Sequence, residues 1–366
     1  MSVISALGRR TTTVYDQASR RIAILDARGG RNTFTLDALG RTTEEIDALS
    51  RVTTHSYDEV GHEKLRTDAR GNSTTYTFDA ADRHNGRLYP DGTRATFTYD
   101  EANNRTLMAD ATGRYTVTFD PLDRPTVVVT PFGLPCTHTY DARSDRKLLV
   151  DPDGGTSTYA YDAARRRELV VNPQGDRTTL SFDAVGRETV SRLADGMSVS
   201  VIYDAASQVL QRFNFDKTGA VQTSFDYGYD RAGNRTAMLE ASGDRVTWTY
   251  DATYQLTNEK RSGTNAYNTT FVYDPLGNRL VRNADGALTT STYDMANQLV
   301  TARDAGGVTT YTFDADGNQR RVLAPSGEIT TTVWNYENQS ILVQKPDGSR
   351  VTSVYNADNR RVRKEI

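Results

Sequence analysis

At 366 residues and a formal net charge of −3, the chain has neither the basic excess of a nucleic-acid-binding surface nor a cationic run suited to a membrane. Its one cysteine, Cys136, excludes an internal disulfide framework and a Cys-rich zinc site. The opening MSVISALGRR holds an apolar run too short for a signal-peptide core, and no stretch approaches the length of a transmembrane helix.

The predicted elements are short strands that recur. In chain order, Tyr15, Leu36, Tyr57, Phe78, Tyr99, Phe119, Tyr140, Tyr161, Phe182, Tyr203, Tyr229, Tyr250, Tyr273, Tyr293, Phe313, Trp334 and Tyr355 anchor 17 units, most of them 20 or 21 residues apart. All but Trp334 and Tyr355 are followed by Asp, among them Asp100, Asp141, Asp162, Asp230 and Asp274. Such self-similarity predicts a repeat array, not several independent domains. Before each anchor the sequence tends to alternate, as in Thr96, Phe97, Thr98 and Tyr99, which predicts a strand with two unlike faces.

Three residues after the Asp, 12 of the 17 units carry Gly, Asn or Asp, for example Gly186, Gly233, Gly277 and Asn103. This predicts a type I turn closed by a left-handed residue, with the Asp side chain accepting backbone N–H groups. The exceptions Ser19, Ser144, Arg165, Ser207 and Tyr254 must accept some strain or use another turn. Fourteen residues after many anchors a second glycine, such as Gly71, Gly92 or Gly154, turns the chain into the next unit. Each unit is then a hairpin, and about 34 strands extend one antiparallel sheet.

If the Asp pairs with the residue four further on, Tyr99 faces Arg105, and Tyr140, Tyr161, Tyr229 and Tyr273 face Arg146, Arg167, Arg235 and Arg279. The arginine is expected to stack on the anchor it faces. The same register sets Phe97 against Leu107, Val117 against Val127, His138 against Leu148, Tyr159 against Leu169, Leu180 against Val190 and Phe225 against Leu239. The 26-residue interval from Tyr203 to Tyr229 predicts an irregularity at 212–226, with longer strands or a bulged hairpin and no domain linker. The expected organisation is one continuous array over 1–366, without a separate catalytic or toxin domain.

The stretches YDEANNR, YDRAGNR, YDPLGNR, FDAVGR and LDALGR resemble the YD repeats of the rearrangement-hotspot (Rhs) family, which also includes the shells of Tc toxin C components and teneurins. The resemblance covers nearly the whole chain. It implies an all-β fold in which hairpins form one long sheet coiled into a spiral, cocoon-like shell. It also implies a structural role, enclosing or displaying a C-terminal toxin or effector polypeptide supplied by a longer parent chain, in a secreted or cell-surface setting. The family's closing protease motif has no counterpart here, and the last unit, VTSVYNADNRRVRKEI, is still a repeat, so the array reads as incomplete.

The turn aspartates could be imagined as calcium ligands, but no Gly-Gly-x-Gly-x-Asp nonapeptide accompanies them and turn capping is the simpler role. His55, His62, His84 and His138 lack metal-ligand spacing, and no nucleophile motif appears, so neither a metal, a cofactor nor a catalytic residue is expected. A second function class stays open: an adhesin whose tyrosine and arginine rows bind a glycan.

Overall fold

A computed structural model describes all 366 residues, Met1–Ile366. It contains 35 strands and no helix, hence none long and apolar enough to cross a membrane. Ser2–Ile4 pairs with Arg10–Tyr15 ahead of the first full hairpin, one strand more than the 34 expected. Each strand thereafter pairs antiparallel with its sequence neighbours, up to Arg350–Tyr355 with Arg361–Glu365. The first and last strands do not pair with each other, so the sheet is not closed.

In most units both turns share one geometry; two-residue turns replace the second one at Asp110–Gly113, Ala284–Ala287 and Asp304–Gly307. At the YD edge the Asp100 N–H donates to Asn104 O (3.0 Å) and the Asn103 N–H to Asp100 O (3.2 Å); at the other edge Asp68 and Gly71 repeat the pattern. The left-handed position is Gly at 186, 233 and 277, with φ of 92°, 88° and 91°. Ser19, Ser144, Arg165, Ser207 and Tyr254 adopt the same conformation at φ between 60° and 67°, so these units keep the turn and accept its strain.

The register corrects the sequence reading by one residue. Tyr99 pairs with Arg105 as expected, but a bulge follows, and Thr98 pairs with Leu107 and Phe97 with Met108. Likewise Val117 faces Val128, His138 faces Leu149, Tyr159 faces Val170, Leu180 faces Ser191 and Phe225 faces Glu240. The residue seven after the anchor is the extra one, and a bulge shifts every pair beyond it. At five of the six units where that residue is Thr, its hydroxyl donates back to the opposite strand, as from Thr126 to Thr118 O (3.1 Å) and from Thr257 to Thr249 O (3.1 Å). Around the expected irregularity, Val209–Phe215 and Val221–Tyr229 form a longer hairpin with its own bulge.

The sheet is a single layer. A compact protein of 40.6 kDa would expose about 14,600 Å². This chain exposes 21404 Å², and only 15 residues are buried. Its two faces differ: the residue one before the anchor is exposed in 12 of 17 units, while the residue two before it is exposed in none. Thr158 is exposed, and Tyr161, three residues on, is half-buried. Tyr161→Ala is therefore expected to cost roughly 2–4 kcal/mol, and Thr158→Ala far less, in urea denaturation. Equal losses would contradict the two-faced sheet.

Twist coils the ribbon through more than a full turn, so that residues 9–110 lie against residues 255–358. Twelve hairpins separate facing points such as Ala69 and Asp316. At ~4.8 Å per strand, a coil of 24 strands has a contour of about 115 Å and a diameter of about 37 Å. The one buried apolar cluster, Ala95, Phe97, Met108 and Ala357, joins a sheet face of the first coil to a turn of the second.

Candidate functional site

The repeat builds a ladder along the YD edge. In nearly every YD turn the Asp carboxylate accepts two or more backbone N–H groups: Asp162 takes those of Ala164 and Arg166, both at 2.9 Å, and Asp141 and Asp230 do the same. The N–H of Arg166 holds the Asp162 carboxyl below the usual carboxylate range, reinforced by the Arg166 side chain. Asp100, Asp141, Asp230 and Asp274 shift in the same direction.

Most neighbouring hairpins pair over only three residues, as in Val127–Thr137, Val128–Cys136 and Val129–Pro135, so the strands splay before reaching the YD turn. The anchor closes that gap. Tyr140 donates its hydroxyl to Pro125 O (2.8 Å), Tyr99 to His84 O (2.8 Å) and Tyr57 to Thr42 O (2.7 Å). Tyr161, Tyr203, Tyr229, Tyr250, Tyr273 and Tyr293 repeat the bond at 2.8–3.3 Å, and Trp334 makes it through its indole N–H. Tyr15 stands exposed in the first unit, and Tyr355 lines a cavity between the coils.

The stacking partner differs from the expected one. Tyr99 is covered by Arg83 of the preceding unit (4.9 Å), not by Arg105, which lies over Phe97 (5.3 Å). Tyr57, Tyr140, Phe182 and Tyr203 are likewise covered by Arg41, Arg124, Arg166 and Arg187 at 4.5–4.8 Å. Each such arginine grips its own turn aspartate and donates to the next turn's carbonyl, as Arg166 does to Asp162 (2.6 Å) and to Asp183 O (2.9 Å). This position, five after the anchor, links one hairpin to the next. Its signal was the Arg, Asn or Gln that recurs directly after the left-handed residue.

A second constellation lies where the coils meet. The first coil supplies arginines and the second supplies acceptors: Arg9 reaches Gln255 (2.8 Å), Arg28 reaches Tyr293 O (2.9 Å), Arg51 reaches Gln298 (3.0 Å), and Arg105 binds Asp358 through both nitrogens (2.8 and 2.6 Å). At the centre, Arg70 contacts Asp68 (3.0 Å), Asp316 (3.0 Å) and Asp314 (3.6 Å) and donates to Asn335 O (3.0 Å). Beside it, a cavity of about 480 Å³ is lined by Arg70, Tyr89, Arg94, Trp334, Tyr336 and Glu337, with Tyr89 stacked on Tyr336 at 5.7 Å.

Asp68 and Asp316 are buried together, with side chains 3% and 4% exposed. Burial pushes the Asp316 carboxyl up, aided by the adjacent Asp68. Burial acts on Asp68 too, but hydrogen bonds from Asn72, Asp316 and Arg70 outweigh it and lower its pKa. A carboxyl whose folded pKa is raised stabilises the fold below its unfolded pKa, and that contribution fades as pH rises through the folded value. Asp316→Asn mimics the protonated acid and is expected to raise the thermal midpoint at about pH 7 while leaving it unchanged near pH 4. Equal losses at both would show an ionised Asp316 paired with Arg70.

The histidines stay apart in their roles. His55 meets Glu63 (2.6 Å), His62 meets Asp58 (3.0 Å) and stacks on Phe78 (4.2 Å), and His84 lies against Phe97 (5.2 Å). No group of three His, Cys, Asp or Glu side chains is arranged to hold a metal ion.

Comparison with known proteins follows the repeat. A family profile described as RHS Repeat matches residues 273–310 and 293–329. No curated protein matches the chain in sequence. Among solved structures, the chain is similar to the crystal structure of TcdB2-TccC3, at 16% identity and a TM-score of 0.59, over 98% of this chain and 26% of that one. The same complex without its hypervariable C-terminal region gives 16% identity and 0.60 over 97% and 26%, so the likeness lies outside that region. The Tc holotoxin pore of Photorhabdus luminescens gives 15% identity and 0.57 over 97% and 25%. At such identity the likeness establishes the fold, and the chain spans about a quarter of the length of the chains it matches. YD hairpins run from Tyr15 to Tyr355, and those within residues 273–329 match the RHS Repeat profile, so the chain carries RHS-type repeats in a fold similar to that of the TccC3-containing chains.

Proposed function

We propose that this chain is a section of shell wall in an Rhs-type protein that encloses or displays a toxin or effector polypeptide carried by a longer parent chain and released outside the cell. Its role is structural, not catalytic. One observation carries the reading: a single-layer sheet of 35 strands coils past a full turn and matches 98% of its length to about a quarter of a TccC3-containing chain. A single layer cannot bury a core, so its stability rests on ladders, stacked rings and the seam between coils. Such a sheet surrounds space. In this reading the anchors Tyr57, Tyr99, Tyr140, Tyr161, Tyr203, Tyr229, Tyr250, Tyr273 and Tyr293 and the turn aspartates are structural residues, and 1–366 is one continuous array.

Electron microscopy of the full-length parent tests the proposal. Density for a second polypeptide inside or upon a coiled wall is the expected result; an open fibre without a cavity would overturn it. Limited proteolysis of the chain itself tests continuity, since rapid cleavage between Arg212 and Asp226 into two stable halves would show a boundary.

A further inference from the structure

The sheet face that carries the anchors also carries the strand residues six and nine after them, and these rows are rich in arginine. Arg21, Arg146, Arg235 and Arg279 lie over Phe34, Tyr159, Tyr227 and Phe271 at 4.9, 4.7, 4.2 and 5.9 Å. None forms a salt bridge, whereas the arginines of the YD-edge ladder and the seam are largely engaged by carboxylates. A stacked guanidinium has its plane fixed by the ring and its N–H edge free, which leaves little entropy to lose when a carboxylate arrives.

The molecule contains its own example of that arrival. Arg105 occupies the same row, six after an anchor, and also lies over a ring, that of Phe97 (5.3 Å). Where the second coil crosses this face, Arg105 takes Asp358 in a two-pronged pair, at 2.8 and 2.6 Å. Arg87, also over Phe97 (5.7 Å), meets Glu337 at 3.4 Å. At these two points the arginine rows bind acidic side chains from a distant polypeptide segment laid across them.

We propose that the unpaired arginines are docking points for acidic, extended polypeptide, and that the segment they hold belongs to the protein that the wall encloses or displays. The proposal rests on the wall reading for the identity of that partner, but not for the chemistry of the face. Carboxylate geometry favours a peptide over a nucleic acid, because the face is bordered by the aspartates of the turns, which oppose a densely charged phosphate backbone. The opposite face, with its threonine rows, carries exposed arginines that no ring orients, among them Arg114, Arg177, Arg245 and Arg350.

Fluorescence anisotropy with the whole chain tests this. The probes are a labelled peptide of alternating Glu and Ser, roughly twenty residues long, its Lys–Ser counterpart and an oligothymidylate of the same length. The Glu–Ser peptide is expected to bind, more tightly than the oligothymidylate, with no binding of the Lys–Ser peptide. The quadruple variant Arg21→Gln, Arg146→Gln, Arg235→Gln and Arg279→Gln should weaken it at least about tenfold. Removing four charges from the other face, with Arg114→Gln, Arg177→Gln, Arg245→Gln and Arg350→Gln, should change it less than about twofold. Circular dichroism checks that both variants keep the wild-type sheet. Absent binding of the Glu–Ser peptide, equal weakening by the two variants, or oligothymidylate binding as tight as the peptide's would each overturn the proposal. None of these outcomes bears on whether the parent forms a closed wall, which the micrographs decide separately.

Discussion

Replacing Arg70 by alanine is expected to lower stability by about 3–5 kcal/mol, the largest effect of any single polar substitution in the chain. Arg70 is the cation within a group of three carboxylates, of which Asp68 and Asp316 are almost wholly covered and Asp314 is 15% exposed. It also satisfies Asn335 O and the side-chain oxygen of Asn338 (3.1 Å). Deleting it leaves buried negative charge without a counter-ion and opens the seam at its centre. Arg70→Lys keeps the charge but cannot span Asp68, Asp316 and Asn335 at once, so an intermediate loss is expected. Urea denaturation of the three proteins checks the order. A loss below about 1 kcal/mol for Arg70→Ala would mean that water reaches the carboxylates and the coils are held by other contacts.

Phe97→Ala should cost a comparable 3–5 kcal/mol, for an apolar reason. Most rings of this sheet have solvent on one side, but Phe97 is 4% exposed because Ala357 of the second coil closes over it, together with Ala95 and Met108. Truncation there leaves a cavity that a turn and a paired strand cannot readily collapse to fill. Phe271 occupies the equivalent position in a later hairpin and is only half-buried, so Phe271→Ala should cost clearly less. Thermal and urea unfolding of both variants separate the cases. Equal losses would show that the second coil does not cover Phe97.

The turns and strands were legible in the sequence because their causes are local. An Asp that accepts two N–H groups and a left-handed residue three positions later set the YD turn wherever they occur, and the alternation around Phe97 and Tyr99 marks the strand that precedes it. The bulge was not legible from alternation: Leu107 and Met108 are both apolar, so either register sets an apolar residue against Phe97. A recurrent Thr seven residues after the anchor, at 43, 106, 126, 189, 236 and 257, was the sign that could have revealed it. Arg83 over Tyr99 was not legible either, because the guanidinium comes from the preceding unit, not from the strand that Tyr99 faces. The seam lay further out of reach. Arg70 and Asp316 are brought together by the curvature of the whole ribbon, which sums small twists over twelve hairpins and is written in no single repeat.

Coiling lays the second coil's YD turns against the first coil some twelve hairpins earlier, and cross-linking reads that contact. In a chain with Cys136→Ser, cysteines placed by Arg105→Cys and Asp358→Cys should be joined rapidly by a short bis-maleimide, because the side chains they replace are in contact. A single new cysteine should give no such product, and urea should abolish the double-cysteine one. In an uncoiled ribbon the two positions would stand about 115 Å apart. Failure of the folded double variant to cross-link within the monomer would contradict the coil.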